Sequence, residues 1–232
     1  MMGVDLSTLG GLSDTAALFG RGLVITLELL VVSTVLAMVL AVPLAVARLS
    51  ANPFFRWPAF AYSAFFRGTP LLVQIFLFYY GLSQFPWIRQ SIAWPFLRDA
   101  FPCAQVVLTL NMVAYVAEVV RGGIMAVPSG EKEAALSVGM GPFLMYRRII
   151  LPRAFRLMLP ALSNEVAIQL KSTSLACTIT LLDVTGVGRR LAAASYSTEP
   201  LIVAGVIYMI LAFLIGRVFK LAEARLSFQR RA

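Results

Sequence analysis

SGEKEAALSVGMGPFLMYRRIILP, residues 129–152, is a basic, polar stretch set between apolar runs of an otherwise very hydrophobic chain. Its spacing predicts two short helices parted by a glycine. Pro128 ends the element before it, and Ser129 is placed to cap the first helix. Glu131 and Glu133 follow in the opening turn, where the helix dipole favours negative charge. Ala134, Ala135, Leu136 and Val138 give an apolar surface, and Gly139 supplies the left-handed residue that commonly ends a helix. Gly141-Pro142 restarts the chain, since proline suits a first helical position. Phe143 to Ile150 forms the second helix, which Leu151-Pro152 is expected to close, because the residue before a proline resists the α conformation. So defined an element outside the apolar runs points to docking with another protein; a bare connector would be shorter and more polar.

Outward from this stretch, the composition fixes the class. Of 232 residues, 59% are apolar and 13% charged, and there is no histidine, a mixture that fits a bundle of membrane-spanning helices. A span takes roughly 20 apolar residues, and five segments qualify, at about 22–47, 58–82, 102–122, 157–181 and 200–221. The expectation is an all-α integral membrane protein with about five transmembrane helices in one domain, residues 21–222, with its long polar loop at 123–156. Residues 1–20, with Leu6, Leu9, Leu12 and Leu18, are expected as an outer or interfacial segment, and 223–232 as a tail. No basic residue precedes Arg21, and the first apolar run is too long for a signal core, so no cleaved leader is expected. The loop 83–101 carries Trp87 and Trp94 among prolines and phenylalanines, which suits the headgroup region.

The net charge of +9 raises the question of nucleic acid, but its distribution answers it. Thirteen basic residues fall on one side: Arg48, Arg56, Arg121, Lys132, Arg147, Arg148, Arg153, Arg156, Arg217, Lys220, Arg225, Arg230 and Arg231. Five fall on the other (Arg21, Arg89, Arg98, Arg189, Arg190), with Arg67 and Lys171 inside spans. That bias selects N-out, C-in, with the 123–156 loop cytoplasmic, the lipid membrane as a partner and no nucleic acid. The absence of histidine, with only Cys103 and Cys177 beside apolar segments, removes most zinc, haem and iron–sulfur options, and hydrolytic sites of the usual kinds cannot be assembled. Two buried thiols are expected rather than a disulfide. No metal and no catalytic residue is assigned.

At residues 133–152 the sequence resembles the inner-membrane permease subunits of bacterial ABC importers. Their shared signature is EAA, three residues, G, nine residues, I, one residue and LP, and EAALSVGMGPFLMYRRIILP fits it at every fixed position. FRGTPLLVQIFLFYYGL (66–82), TLNMVAYVAEVVRGGI (109–124) and SNEVAIQLKSTSLACTITL (163–181) resemble the polar amino-acid subgroup. The likeness runs from about 20 to 225 and is closest to M-type subunits for histidine, arginine/ornithine, octopine and nopaline. It implies a type I importer transmembrane domain, in which Glu133, Ala134, Ala135 and Gly139 belong to a coupling helix seated on a cytoplasmic ATPase. It further implies a second permease, often a non-identical Q-type homologue, two ATP-binding subunits and a periplasmic amino-acid-binding protein. No G-x-x-x-x-G-K-[ST] loop is present, so ATP and Mg²⁺ are expected on the partner ATPase and this chain is expected to transport, not to hydrolyse. The cargo implied is arginine, ornithine, histidine, lysine or an opine, moved from periplasm to cytoplasm. Neutral or acidic polar amino acids such as glutamine are the alternative, and an ion-coupled secondary transporter or channel a remoter one.

An ionisable group at the centre of a span costs about 2.5–3.5 kcal/mol on insertion scales. Asn111, Tyr115 and Glu118 share a helical stripe, as do Glu165, Gln169 and Ser172, while Arg67 and Gln74 share a side of the second segment. Three such stripes are expected to line a cavity. The substrate-binding candidates are Glu165, for a cationic side chain, with Gln74, Asn111, Gln169 and Ser172 as neutral donors and acceptors for the α-amino and α-carboxyl groups. Against this stands simple pairing: Glu118 with Arg67 or Arg121, favoured for Glu118, and Glu165 with Lys171. Glu28 has no partner of opposite sign at i±4, and its role is left open. Gly122-Gly123 and Ala192-Ala193-Ala194 suit close helix approach, and Pro160 a kink.

Overall fold

The computed structural model describes residues 12–92 and 94–226, and every regular element among them is helical. In chain order these are α1 (Leu12–Leu49), α2 (Pro53–Gly68), α3 (Leu71–Phe76), α4 (Pro86–Arg89), α5 (Trp94–Arg98), α6 (Ala100–Met125), α7 (Ser129–Ser137), α8 (Pro142–Met145), α9 (Leu151–Thr173), α10 (Val184–Ser195) and α11 (Glu199–Leu226). π-turns follow α3 (Leu77–Gly81) and α8 (Tyr146–Ile150), and a 3₁₀ run follows α9 (Ser174–Ile179). Residues 12–20 are part of α1, so the expected interfacial segment merges into the first span where it is described; its Leu6 and Leu9 lie outside the described residues.

Helices α1, α6 and α11 are long and apolar enough to cross a membrane, and α2 with the run that starts at α3 passes the same test as a broken pair. The break lies at Thr69-Pro70. Thr69 is extended, as a residue before proline must be, and both its N–H and its hydroxyl donate to the Phe65 carbonyl at 3.1 and 2.8 Å. The second apolar run is therefore not one continuous helix. The fourth expected span is helical as α9, but Arg153, Arg156, Asn164, Glu165, Gln169 and Lys171 keep it out of the group that is long and apolar enough.

Two compact units divide the chain. One holds the residues up to Ser33, Pro70–Thr109 and Ile168–Phe213; the other holds Thr34–Thr69, Leu110–Ala167 and the residues from Leu214. Within the first, Leu29, Ile75, Cys103, Ala104, Val107, Leu108, Ala176 and Ile179 are fully buried in one cluster. Phe19, Val184, Val187, Leu191 and Ala204 form another. Within the second, α6 and α9 approach closely because residue 123 has no side chain: a Cβ there would stand 3.1 Å from the Ala154 carbonyl and 3.3 Å from Met158 Cβ. Gly122, by contrast, faces open space. Little of helix α11 is buried, and Ile202, Met209, Phe213 and Val218 are exposed on its surface. Cys103 and Cys177 are free thiols, the first buried and the second half-buried.

Candidate functional site

The polar stretch folds into the helix–glycine–helix element its letters imply. Helix α7 stops at a Schellman motif: Gly139 has φ +74°, its N–H donates to the Leu136 carbonyl (2.9 Å), and the Met140 N–H reaches back to Ala135 (3.0 Å). A Cβ at Gly139 would meet nothing within 4 Å, so its backbone angle, not space, is what requires glycine. Ser129 is the first helical residue rather than its cap; Pro128 holds the cap position, without a side-chain hydrogen bond. Ala135 is buried, whereas Glu133, Ala134, Leu136 and Val138 are exposed. Leu136 and Val138, with Phe143 at 79% exposed, give the element an apolar outer surface beside Glu133. Glu131 pairs with Arg153 of α9 at 3.3 Å, tying its start to the helix that follows.

The second helix does not close at Leu151-Pro152. Instead the chain widens into the π-turn Tyr146–Ile150 and continues as α9. Pro152 then falls in the first turn of the new helix, where a missing N–H costs nothing, and the wider turn relieves the ring's clash with the preceding carbonyls. A proline-led stop was expected because the sequence alone does not show a π-turn.

In the same unit Glu118 gathers three guanidinium groups. Arg121 reaches its Oε2 through Nε and Nη2, both at 3.0 Å, Arg67 Nη1 lies at 3.7 Å, and Arg48 Nη2 lies 3.0 Å from Oε1. The Arg48 contact is an ion pair without hydrogen-bond geometry, for Oε1 is buried and accepts no hydrogen bond. Arg67 also stacks over the Tyr115 ring at 5.5 Å. Glu118 is thus a structural pairing point, joining Arg67 and Arg121 as the pairing reading anticipated, with Arg48 added. Arg48 was not foreseen as a partner because it lies seventy positions away, in a different helix.

The five substrate-binding candidates fall in both units. In the first, Gln74 and Gln169 are buried, and Ser172 is half-buried. The Gln169 amide donates to Ser33 Oγ (2.9 Å) and the Leu108 carbonyl (3.2 Å), while Ser33 donates to Leu29 (2.6 Å). In the second, Asn111 is buried and donates to the Phe66 carbonyl at 3.1 Å, which satisfies one of the carbonyls left open at the end of α2. Glu165 is half-buried, within the field of Arg67, and has neither hydrogen bond nor ion pair among the described residues. Lys171 is exposed and does not pair with it. Glu28 is exposed on α1.

Residues 33–228 match the family described as binding-protein-dependent transport system inner membrane component. The chain belongs to that family. It is 51% identical to the octopine transport system permease protein of Rhizobium radiobacter over 90% of this chain and 86% of that one. It is 45% identical to the nopaline transport system permease protein of Agrobacterium fabrum, covering 89% and 87%, and 41% identical to the histidine/lysine/arginine/ornithine transport system permease protein of Escherichia coli K12, covering 88% and 87%. A crystal structure of an amino acid ABC transporter with histidines matches with a TM-score of 0.81 and 32% identity, over 97% of this chain and 100% of that one. As a family member the chain is an ABC-importer permease and not an enzyme; ATP hydrolysis belongs to a separate subunit.

One polar centre of this inner-membrane component was not anticipated. Asp183 is fully buried at the start of α10, where its carboxylate accepts from the Gly186 N–H (2.9 Å), the Thr185 N–H (3.3 Å) and the Tyr208 hydroxyl (3.0 Å). Thr26 Oγ accepts from the Val184 N–H at 3.2 Å, and Gly22 packs so closely that a Cβ would stand 3.0 Å from the Asp183 backbone. Burial pushes the Asp183 carboxyl above its ordinary range, and the three donors pull it back. The signal available was Asp183 directly before VTGVG, a cap position; its distant partners left no local trace.

Proposed function

We propose that this permease carries a basic or polar amino acid or opine from periplasm to cytoplasm across the bacterial inner membrane, N-out and C-in. The observation that supports it most is the shared cargo chemistry of relatives 41–51% identical over nearly the whole chain: octopine, nopaline, and histidine, lysine, arginine or ornithine. Glu165 is assigned to the cargo's cationic side chain, because a half-buried carboxylate without a hydrogen-bond partner is matched by a guanidinium or ammonium. Gln74, Asn111, Gln169 and Ser172 are assigned to its neutral polar contacts. ATP and Mg²⁺ are placed on a partner ATPase. That partner seats the α7 element through Glu133, Ala134, Ala135 and Gly139, and a periplasmic binding protein delivers the cargo. A second permease subunit, a non-identical homologue, covers part of the exposed apolar surface.

In this scheme the ATPase pair closes on nucleotide and moves α7, and the Schellman stop at Gly139 passes that movement to α9 without slack. The bundle then exposes its polar residues to each side in turn. Uptake of a labelled panel of arginine, ornithine, histidine, lysine, octopine, nopaline and glutamine, with the cognate binding protein, tests the cargo. Cationic amino acids or opines are expected to dominate, and transport of glutamine alone would overturn the assignment. Glu165→Gln is expected to lower uptake of cationic cargo by roughly tenfold or more, the scale of one charge-assisted contact. Unchanged arginine and histidine uptake would remove Glu165 from the site.

A further inference from the structure

At the turn from α1 to α2, a pocket of about 180 Å³ is lined by Arg48, Arg56, Trp57 and Phe60. That volume is well below the roughly 300–1,000 Å³ of sites for drug-sized molecules, and suits a headgroup fragment. The turn is set by its own side chains: the Asn52 carboxamide oxygen accepts from the Phe54 N–H (2.9 Å), and Pro53 opens α2. Arg56 and Phe60 are one helical turn apart and share a face. Arg48 stacks over the Phe60 ring at 4.9 Å.

Two features give this pocket a ligand chemistry. The first is uncommitted donors. Arg48 is 14% exposed and touches Glu118 only as an ion pair, so its five N–H groups have no hydrogen-bond acceptor among the described residues. Arg56 is exposed and has no partner among them either. The carboxylate nearest to hand, Glu118, already faces Arg67 and Arg121, so the pocket keeps an excess of positive charge. The second feature is place. Helix α1 is 38 residues long, about 57 Å at the usual rise of 1.5 Å per residue, against a hydrocarbon core of about 30 Å. The 19 residues between Glu28 and Arg48 carry no charge and have about the length that crosses this core, so Arg48 and the last turn stand at its edge. Around it Phe54, Phe55 and Trp57 are 77, 55 and 63% exposed, a ring of aromatic side chains suited to the boundary between headgroups and acyl chains.

We propose that this pocket binds the phosphodiester of an anionic membrane phospholipid, between Arg48 and Arg56, with Trp57 and Phe60 against its glycerol and upper acyl chain. Guanidinium groups match phosphate oxygens in a forked geometry. The same pair repels an ammonium headgroup, so phosphatidylglycerol is held in preference to phosphatidylethanolamine. The inference requires only that α1 spans the bilayer, and it does not depend on which cargo is carried.

The test is native mass spectrometry of the complete transporter, released from nanodiscs of equal phosphatidylglycerol and phosphatidylethanolamine. The wild type is expected to retain phosphatidylglycerol selectively. Arg56→Gln is expected to lower that retention about fivefold, the effect of one arginine at an anionic surface, with phosphatidylethanolamine unchanged, and Arg56→Lys to recover part of it. Millimolar inorganic phosphate is expected to leave the bound lipid in place. Equal retention of both lipids, or equal phosphatidylglycerol in wild type and Arg56→Gln, would overturn the proposal. Displacement by inorganic phosphate would overturn it as well, since the site would then be one for small anions.

Discussion

Asp183 and Glu118 are two carboxylates withdrawn from water, and the protein stabilises them in opposite ways. Asp183 is surrounded by dipoles: two backbone N–H groups and a tyrosine hydroxyl, with no cation in contact among the described residues. Glu118 is surrounded by charge, three guanidinium groups reaching it from three helices. The first arrangement is closed, since each donor has its acceptor and a missing side chain at Gly22 lets the backbones meet. The second is open, because one negative charge cannot satisfy three positive ones, and Arg48 is left with N–H groups to offer. Neutral dipoles therefore make a fixed joint, whereas a crowded carboxylate leaves an unsatisfied edge for something outside the chain.

Four substitutions sharpen that contrast. Asp183→Ala is expected to have the largest effect on folding, on the order of 3 kcal/mol: about 1 from the lost cap to the Thr185 and Gly186 N–H groups, the rest from the stranded Tyr208 hydroxyl. A lowered thermal midpoint in nanodiscs, with partial rescue in Asp183→Asn, would show it; an unchanged midpoint would mean the joint bears no stability. Glu118→Gln is expected to cost about 1.5–3 kcal/mol, the worth of a charged hydrogen bond, and less where Arg67 is solvated. Its distinguishing sign is salt dependence, because added salt screens the arginines left facing one another. If salt leaves the variant's stability where it was, the charge-crowding account fails.

Gly139→Val is expected to strain the left-handed residue by roughly 1–2 kcal/mol. Because nothing crowds that position, the damage is to the α7 stop alone. Binding of the ATPase should persist while ATP-driven uptake falls, and normal uptake would show that a rigid stop is unnecessary. The smallest effect is expected for Arg153→Gln. It removes the partly exposed pair with Glu131, worth under about 1 kcal/mol, and leaves the global melting temperature nearly unchanged. Hydrogen exchange confined to residues 129–137 is the measurement for it, and slower exchange there would contradict the role of the pair.

Features that depend on neighbours in sequence were legible. Gly139 was, because a positive φ excludes most residues and leaves glycine as its signature. So was the apolar length of α1, α6 and α11, since spanning a bilayer is a property of one segment. The π-turn before α9 was not, because nothing in YRRII distinguishes a five-residue turn from a four-residue one. The break at Thr69-Pro70 had its proline in view, but apolar residues on both sides read as one span. Among the candidate site residues, the polar character of Gln74, Asn111 and Gln169 was plain. Their burial, and the amide donations of Asn111 to Phe66 and of Gln169 to Leu108, were not, since the acceptors lie tens of residues away.

The amino-acid order alone determined the membrane class, the family signature at 133–152 and the stop at Gly139, all of which follow from local preference or from apolar length. Only the tertiary structure decided which charges meet. Arg48 comes to Glu118, Tyr208 to Asp183 and Gln169 to Ser33 because helices far apart in the chain are packed together. Pairing energy depends on distance through space, and a linear text does not carry that distance.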